Sequence, residues 1–282
     1  MTALAIEHQG PLGLVTLNRP ERHNAFDDAL IHDLTEALRA MEADDSVRIV
    51  VLAGAGASFC AGADLNWMKR MSGFSRDENL RDAMQLGALM RTLNNLRKPT
   101  IARVHGAAYG GGVGLVACCD IAVASHGAAF ALSEVKLGLV PAVISPYVVA
   151  AIGERAARRY FVSGERFDAG EAWRLGLVHD LAPTDDEMDA RLKHLVDAML
   201  SCGPVAQREA KELVRAVAGR PVTSELVQDT AERIARLRAS PEGREGVSAF
   251  LEKRRPPWVP APEPEPAVAV QTPPPPGAGG MP

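Results

Sequence analysis

At 282 residues the chain can bury one large core or two small ones. A net charge of −4 gives no electrostatic reason to expect nucleic acid, and no apolar run reaches the roughly 18 residues of a membrane span. The four cysteines, Cys60, Cys118, Cys119 and Cys202, lack zinc-ligand spacing and are expected to be buried free thiols in a reducing cytoplasm.

The N-terminus, Met1 to His8, has neither the basic start nor the long apolar stretch of a secretory signal, which fits a cytoplasmic protein. Leu12–Leu17 is apolar and ends at the turn Asn18-Arg19-Pro20. Asp27 to Glu42 carries Leu30, Ile31, Leu34, Leu38 and Met41 at helical spacing. Val47–Ala53 is an apolar run of strand length, ended by Gly54-Ala55-Gly56. Asn79 to Leu96 reads as a helix, stopped by Pro99. Thr100–Val104 begins the next strand, Leu115–Cys119 continues the apolar run after a glycine triplet, and Ile121–Ala124 resembles another strand. Strand-strand-helix units in series predict an α/β core with layered sheets.

The second half is mostly helical. Glu154–Val162, Ala169–Leu175, Asp186–Leu200, Pro204–Ala218, Ser224–Arg238 and Glu242–Arg254 all carry the helical pattern, punctuated by Gly164, Gly176, Gly203 and Gly219. Proline then dominates, so residues 258–282 are expected to be disordered or polyproline-like. The expected division is a core over 1–195, a helical region over 196–257 and the tail over 258–282.

Two glycine-rich stretches and one glutamate carry the chemistry. Ser58 to Leu65 follows the strand at Val47–Ala53, and His105 to Gly112 follows the strand at Thr100–Val104. Two strand ends that bare backbone N–H groups side by side can hold one carbonyl oxygen as its negative charge develops, which is an oxyanion hole. The plainer role of such glycines is to permit tight turns and close packing. Glu134 is one carboxylate in an otherwise apolar stretch from Ala128 to Val143, so its pKa is expected to be raised and its role to be proton transfer. The plainer alternatives are an exposed strand-end glutamate or an ion-pair partner. Gly54-Ala55-Gly56 is not a dinucleotide fingerprint, because Phe59 stands where the third glycine belongs. There is no P-loop and no Gly-x-Ser-x-Gly elbow. Cys60 has no evident base, and neither His105 nor His126 is expected to be catalytic.

These segments, with Leu17–Pro20, Asn24-Ala25-Phe26, Lys98–Ala102, Cys119–Ala124, Phe130–Pro141, Ala169–Val178 and Glu242–Lys253, resemble the crotonase, or enoyl-CoA hydratase/isomerase, superfamily over roughly residues 4–257. The resemblance implies a spiral of ββα units followed by helices that pack trimers, paired as hexamers. It implies an oxyanion hole from the N–H groups of Ala63 and Gly111, and Glu134 as acid/base. It places coenzyme A along Arg22, Ala61, Asp64 and Leu65, with Phe250 and Lys253 reaching a neighbouring subunit's ligand, and it lines the acyl pocket with Trp67, Gly110 and Gly114. Asp64 has a second possible role as the cap of the following helix. No metal and no redox cofactor are implied, since the CoA thioester is itself the substrate.

Within the superfamily the chain is most similar to bacterial 3-methylglutaconyl-CoA hydratases, through Ala63–Met68, Leu132–Val135 and above all Pro141–Tyr160. Ordinary enoyl-CoA hydratases carry a glycine-rich stretch where this chain has Ala142 to Ser145. Two-glutamate hydratases also place their other carboxylate at the position of Gly114, twenty before Glu134. The expectation is therefore a hydratase for 3-methylglutaconyl-CoA in leucine breakdown, whose substrate carboxylate uses the room left beside Gly114. The alternatives are a Δ3,Δ2-enoyl-CoA isomerase working with one glutamate, and an RNA-binding protein, which the acidic balance disfavours.

Overall fold

The structure is a computed structural model that describes residues 2–260. Residues 261–282, nearly all of the expected tail, lie outside the described residues. Strands β1 (Leu4–Gln9) and β2 (Leu12–Leu17) form an antiparallel hairpin. Gly10 turns it with φ 58°, a conformation that glycine adopts without a Cβ penalty. Asp27 caps helix α1 (Asp28–Ala43) by accepting from Leu30 N at 2.9 Å, and α1 buries Leu30, Ile31, Leu34, Leu38 and Met41 as the periodicity predicted. Strand β3 (Ile49–Gly54) is buried on both faces and runs parallel to β2.

Helices α2 (Leu65–Met71) and α3 (Arg76–Asn95) follow. α3 starts before Asn79 because Ser75 and Glu78 form a capping box. Then come β4 (Thr100–Val104), β5 (Ala107–Tyr109), α4 (Gly111–Cys118), β6 (Ile121–Ser125) and β7 (Ala129–Ala131). The run Leu115–Cys119 is thus mostly the second half of a buried helix. Helix α5 (Ser145–Ser163) begins well before Glu154, with Pro146 in its first turn and a kink at Gly153. β8 (Arg166–Asp168), α6 (Ala169–Leu175), β9 (Asp180–Ala182) and α7 (Asp185–Leu200) complete the core.

The large sheet has the order β1-β2-β3-β4-β6-β9 and is parallel from β2 onward. The small sheet has the order β5-β7-β8. Single bridges at Phe26–Ala63 and Cys60–Ala108 extend its line. Through β7 each turn of chain lends one segment to each layer before entering a helix, while α6 separates β8 from β9; this is the spiral of ββα units that the resemblance implies. Alternation along the strands divides the core. Val50 and Leu52 face the main cluster, whereas Ile49 and Val51 meet Ile101, Val123, Met188 and Leu192 under α7.

Helices α8 (Pro204–Val217), α9 (Ser224–Ala239) and α10 (Pro241–Leu251) form the C-terminal region. Their buried residues are only Leu226 and Ala249, while Val214, Val227, Val247, Phe250 and Leu251 are exposed. Lys211 ties α8 to the core through Asp120 Oδ2 at 2.6 Å. Residue 195, the expected end of the core, lies within α7, whose Leu200 packs with the cluster on the sheet. Two expectations need correction. Cys202 is exposed, while Cys60, Cys118 and Cys119 are buried. Trp258, expected to open the tail, is anchored: its indole N–H donates to Ser201 O at 3.3 Å, and its carbonyl accepts from Arg48 at 2.7 Å. Among the described residues no helix is long and apolar enough to cross a membrane.

Candidate active site

The segment from Phe59 to Asp64 runs between two neighbours and is held by both. On one side Phe59 N donates to His105 O, Cys60 N to Ala107 O, and Tyr109 N to Cys60 O, each at 2.9 Å. On the other side Phe26 N donates to Gly62 O at 2.6 Å and Asp64 N to Phe26 O at 2.7 Å. In an extended segment alternate residues point their N–H groups to opposite sides. With Gly62 and Asp64 turned to Phe26, the Ala63 N–H faces away from it. Among the described residues no acceptor is recorded for that N–H.

The second loop lies directly against the first. A Cβ built on Gly112 would lie 2.5 Å from Cys60 O, and one on Gly62 would lie 3.1 Å from Tyr109 O. Gly110 takes φ 49° and ψ −117°, a backbone region closed to other residues, and donates its N–H to Ala131 O at 2.9 Å. That sharp turn starts α4, so the Gly111 N–H belongs to the first turn, which has no helical acceptor and carries the positive end of the helix dipole. The Phe26 ring fills the space a side chain at 111 would need, since a Cβ there would lie 2.7 Å from Cε2. One residue thus braces both donors: Phe26 binds either side of Ala63 with its backbone and seats Gly111 with its ring.

Glu134 lies in the 3-10 turn Ser133–Leu137, directly after β7. Its Oε1 would be 3.1 Å from a Cβ on Gly110, so the carboxyl stands over the entry to α4. Its Oε2 is buried without a hydrogen-bond partner. Burial pushes the pKa above the ordinary carboxylate value. Glu134 is neither an exposed strand-end residue nor an ion-pair member, as no described cation pairs with it. The arrangement has a proton carrier and two unpaired N–H donors around the start of one helix. It suits a carbonyl substrate whose adjacent carbon gains or loses a proton.

On the outer side, Asp64 is 5 % exposed and fully engaged. It caps α2 by accepting from Asn66 N at 2.8 Å and Trp67 N at 3.2 Å, and it accepts from Arg22 at 2.9 Å and Arg19 at 3.4 Å. Burial opposes its ionisation, but Arg22 and the two cap N–H groups outweigh that and hold it below the ordinary range. Its carboxylate thus shapes the loop and holds Arg22. Ala61 N donates to His23 O at 2.9 Å, and Leu65 projects outward, 81 % exposed. Trp67 is packed into the main core, with its indole N–H on Asp82 at 3.1 Å. Phe250 and Lys253 lie on and just beyond α10, which packs on α8 and α9. No hydrogen bond or ion pair among the described residues joins them to Arg22, Ala61, Asp64 or Leu65.

The room expected beside Gly114 is filled. A Cβ there would lie 2.3 Å from Ile144 Cγ2, 2.9 Å from Ile144 Cβ and 3.2 Å from Met90 Cε. No space is left for a substrate carboxylate on that side. Sequence reasoning missed Ile144 and the bracing role of Phe26. The signal for Ile144 was the loss of glycine across Ala142–Ser145; Phe26 gave none, since only the folded chain brings its ring to Gly111. Of the other candidates, burial pushes the Cys60 thiol up to about 12, and His105 Nε2 lies 2.7 Å from Gly56 O, in a structural role. Among the described residues no cluster of three or more His, Cys, Asp or Glu could hold a metal ion.

Comparison with known proteins shows the family. A family model described as enoyl-CoA hydratase/isomerase matches residues 7–260. A putative enoyl-CoA hydratase of Thermus thermophilus is 37 % identical over 248 residues, covering 88 % of this chain and 97 % of the relative. The 2,3-dehydroadipyl-CoA hydratase of Escherichia coli is 35 % identical over 257 residues, covering 91 % and 98 %. Among solved structures, a putative enoyl-CoA hydratase/isomerase (crotonase) of Legionella pneumophila superposes with a TM-score of 0.86 at 48 % identity, over 92 % of this chain and 99 % of that one. An enoyl-CoA hydratase of Shewanella pealeana gives 0.88 at 44 % identity, over 91 % and 96 %.

Proposed function

The chain belongs to the enoyl-CoA hydratase/isomerase family, and from that premise we propose that it reversibly hydrates a branched α,β-unsaturated acyl-CoA in the cytoplasm, with 3-methylglutaconyl-CoA giving 3-hydroxy-3-methylglutaryl-CoA. The observation that carries the proposal is the position of Glu134, with a buried, unpartnered Oε2, at the entry to α4 beside two open N–H groups.

The thioester oxygen accepts from Ala63 N and Gly111 N. Glu134, as the carboxylate, takes a proton from water while the water oxygen bonds to C3. The electron pair of the double bond moves toward the carbonyl, and the enolate oxygen rests on the two donors. Glu134 then returns the proton to C2. One water is added and no electrons are exchanged, so no redox partner is required. Each oxyanion donor contributes about 3–4 kcal/mol of barrier lowering. The raised pKa of Glu134 brings it nearer to neutrality, where one group can both accept and return the proton.

The choice of acyl group rests on the run Pro141–Tyr160. It is supported by the relative named for 2,3-dehydroadipyl-CoA, another unsaturated acyl group with its own carboxylate. Arg22 is free on its outer side to meet CoA phosphates, and the backbone at Ala61 and Leu65 to meet adenine. Phe250 and Lys253 serve a neighbouring protomer in a trimer or hexamer, which the exposed apolar residues of α8–α10 support. A second reading, Δ3,Δ2-enoyl isomerisation, is favoured by one observation: the place for a second carboxylate at 114 is filled by hydrocarbon. A panel of acyl-CoA thioesters with products read by mass separates them. Hydration adds one water, whereas isomerisation moves the double bond at constant mass.

A further inference from the structure

Glu134 stands over the entry to α4, and Ile144 packs against its first turn. The Gly114 N–H bonds to Gly110 O at 3.3 Å, so the two positions are one turn apart along the chain. Glu134 Oε1 stands at the first position and the Ile144 side chain at the second. A turn is about 5.4 Å, the reach of the first few carbons beyond a thioester carbonyl held at Gly111. Ile144 is 2 % exposed, and Met90, the other side chain against Gly114, is fully buried. Its carbonyl accepts from Tyr147 N and Val148 N at 3.1 Å each, which fixes the residue at the start of α5. A β-branched side chain has few rotamers with which to retreat.

Two departures noted in the sequence, a glycine at 114 and the loss of glycine around 144, therefore meet in one contact. Resting on the function proposed above, we propose that Ile144 is the acyl-specificity residue of this site. It forms an exclusive pair with Gly114, in which only one of the two positions can carry a side chain. With Ile144 in place, the pocket wall one turn below Glu134 is hydrocarbon. That wall limits the reach of the acyl chain on this side and admits no second carboxylate that would face a negatively charged acyl group.

The pair predicts what single and double substitutions do. Gly114→Glu alone meets Ile144 Cβ and Cγ2 and loses both thermal stability and turnover. Gly114→Glu with Ile144→Gly recovers most of that loss of Tm, and its kcat/KM ratio of crotonyl-CoA to 3-methylglutaconyl-CoA rises at least tenfold over the parent. Ile144→Ala, assayed below its own Tm after circular dichroism shows a native spectrum, raises kcat/KM for a linear C8 enoyl-CoA relative to C4 at least tenfold. A merely structural isoleucine would depress both chain lengths alike. Additive Tm losses at 114 and 144, or an unchanged C8 to C4 ratio in Ile144→Ala, would overturn the proposal. A parent protein that neither hydrates nor isomerises any thioester defeats the proposed function and with it the specificity claim, while the Tm coupling still reads out the exclusive contact.

Discussion

Glu134 combines its proposed proton-transfer role with an energetic cost. Its buried carboxyl lacks a partner on Oε2, and burial raises its pKa. A carboxylate whose folded pKa lies above its unfolded one binds more protons in the native state across the interval between the two. Stability therefore falls as pH rises through that interval and stays lower above it. Glu134→Gln removes the charge while keeping the shape. The variant is expected to have a higher Tm than the parent at pH 7, with the difference shrinking below the ordinary carboxylate range. Differential scanning calorimetry at several pH values checks this, and an equal or lower Tm at pH 7 would contradict it. The cysteines give a second residue-scale prediction. Burial pushes Cys60 and Cys119 up to about 12 and Cys118 up as well, whereas Cys202 is exposed. A thiol reagent should titrate Cys202 alone in the native protein and all four in denaturant. The glutamate was legible because a lone carboxylate in an apolar run is unusual in sequence. Cys202 was misjudged because cysteine composition alone does not reveal that position 202 lies in the exposed turn after α7.

At the scale of elements, Phe26 locks the two glycine loops together. Its backbone pairs with the segment around Ala63, and its ring occupies the space beside Gly111. Phe26→Leu keeps the position apolar but loosens the ring contact. We expect kcat to fall about tenfold or more, with a smaller change in KM, because misplacing donors by a fraction of an ångström weakens the transition state more than the ground state. Steady-state kinetics decide it, and a change confined to KM would contradict the bracing role. Strand and helix positions were mostly legible from periodicity, as in α1 and β4, whose ends differ little from those read in sequence. Boundaries failed where capping chemistry outweighs hydrophobic pattern. α3 starts at its capping box, and α5 starts beside Pro146 despite a glycine in its middle. Gly114 was read as empty space for a related reason: a glycine shows what its own position lacks, not what another element pushes into it.

Across the whole molecule, the ββα spiral brings two loops that follow successive parallel strands, β3 and β4, to one place, while the last three helices stand apart with apolar side chains exposed. The described residues after α10 are tied to the folded body. Arg48 gathers the carbonyls of Leu200, Cys202 and Trp258, closing the link between α7, α8 and the C-terminal end. Truncation after Pro260 should leave Tm and turnover unchanged, whereas truncation after Pro257 should lower stability by about 1–2 kcal/mol, through loss of the part-buried bond from Arg48, the exposed bond to Ser201 and the Trp258 ring contact at Gly246. Chemical denaturation of both truncations makes the comparison, and equal stability would contradict the anchoring of Trp258. Proline content could not show that the Trp258 indole, two residues into the run, is held by Ser201.

The account depends most on Glu134 as the single proton carrier of a hydration. The direct measurement is the rate of water addition to 3-methylglutaconyl-CoA by the parent and by Glu134→Gln, with both proteins shown to be folded by circular dichroism. The predicted result is measurable hydration by the parent and a loss of at least about a hundredfold in kcat in the variant, the low end for general acid–base catalysis. A variant that hydrates this thioester within a few-fold of the parent rate would contradict the account.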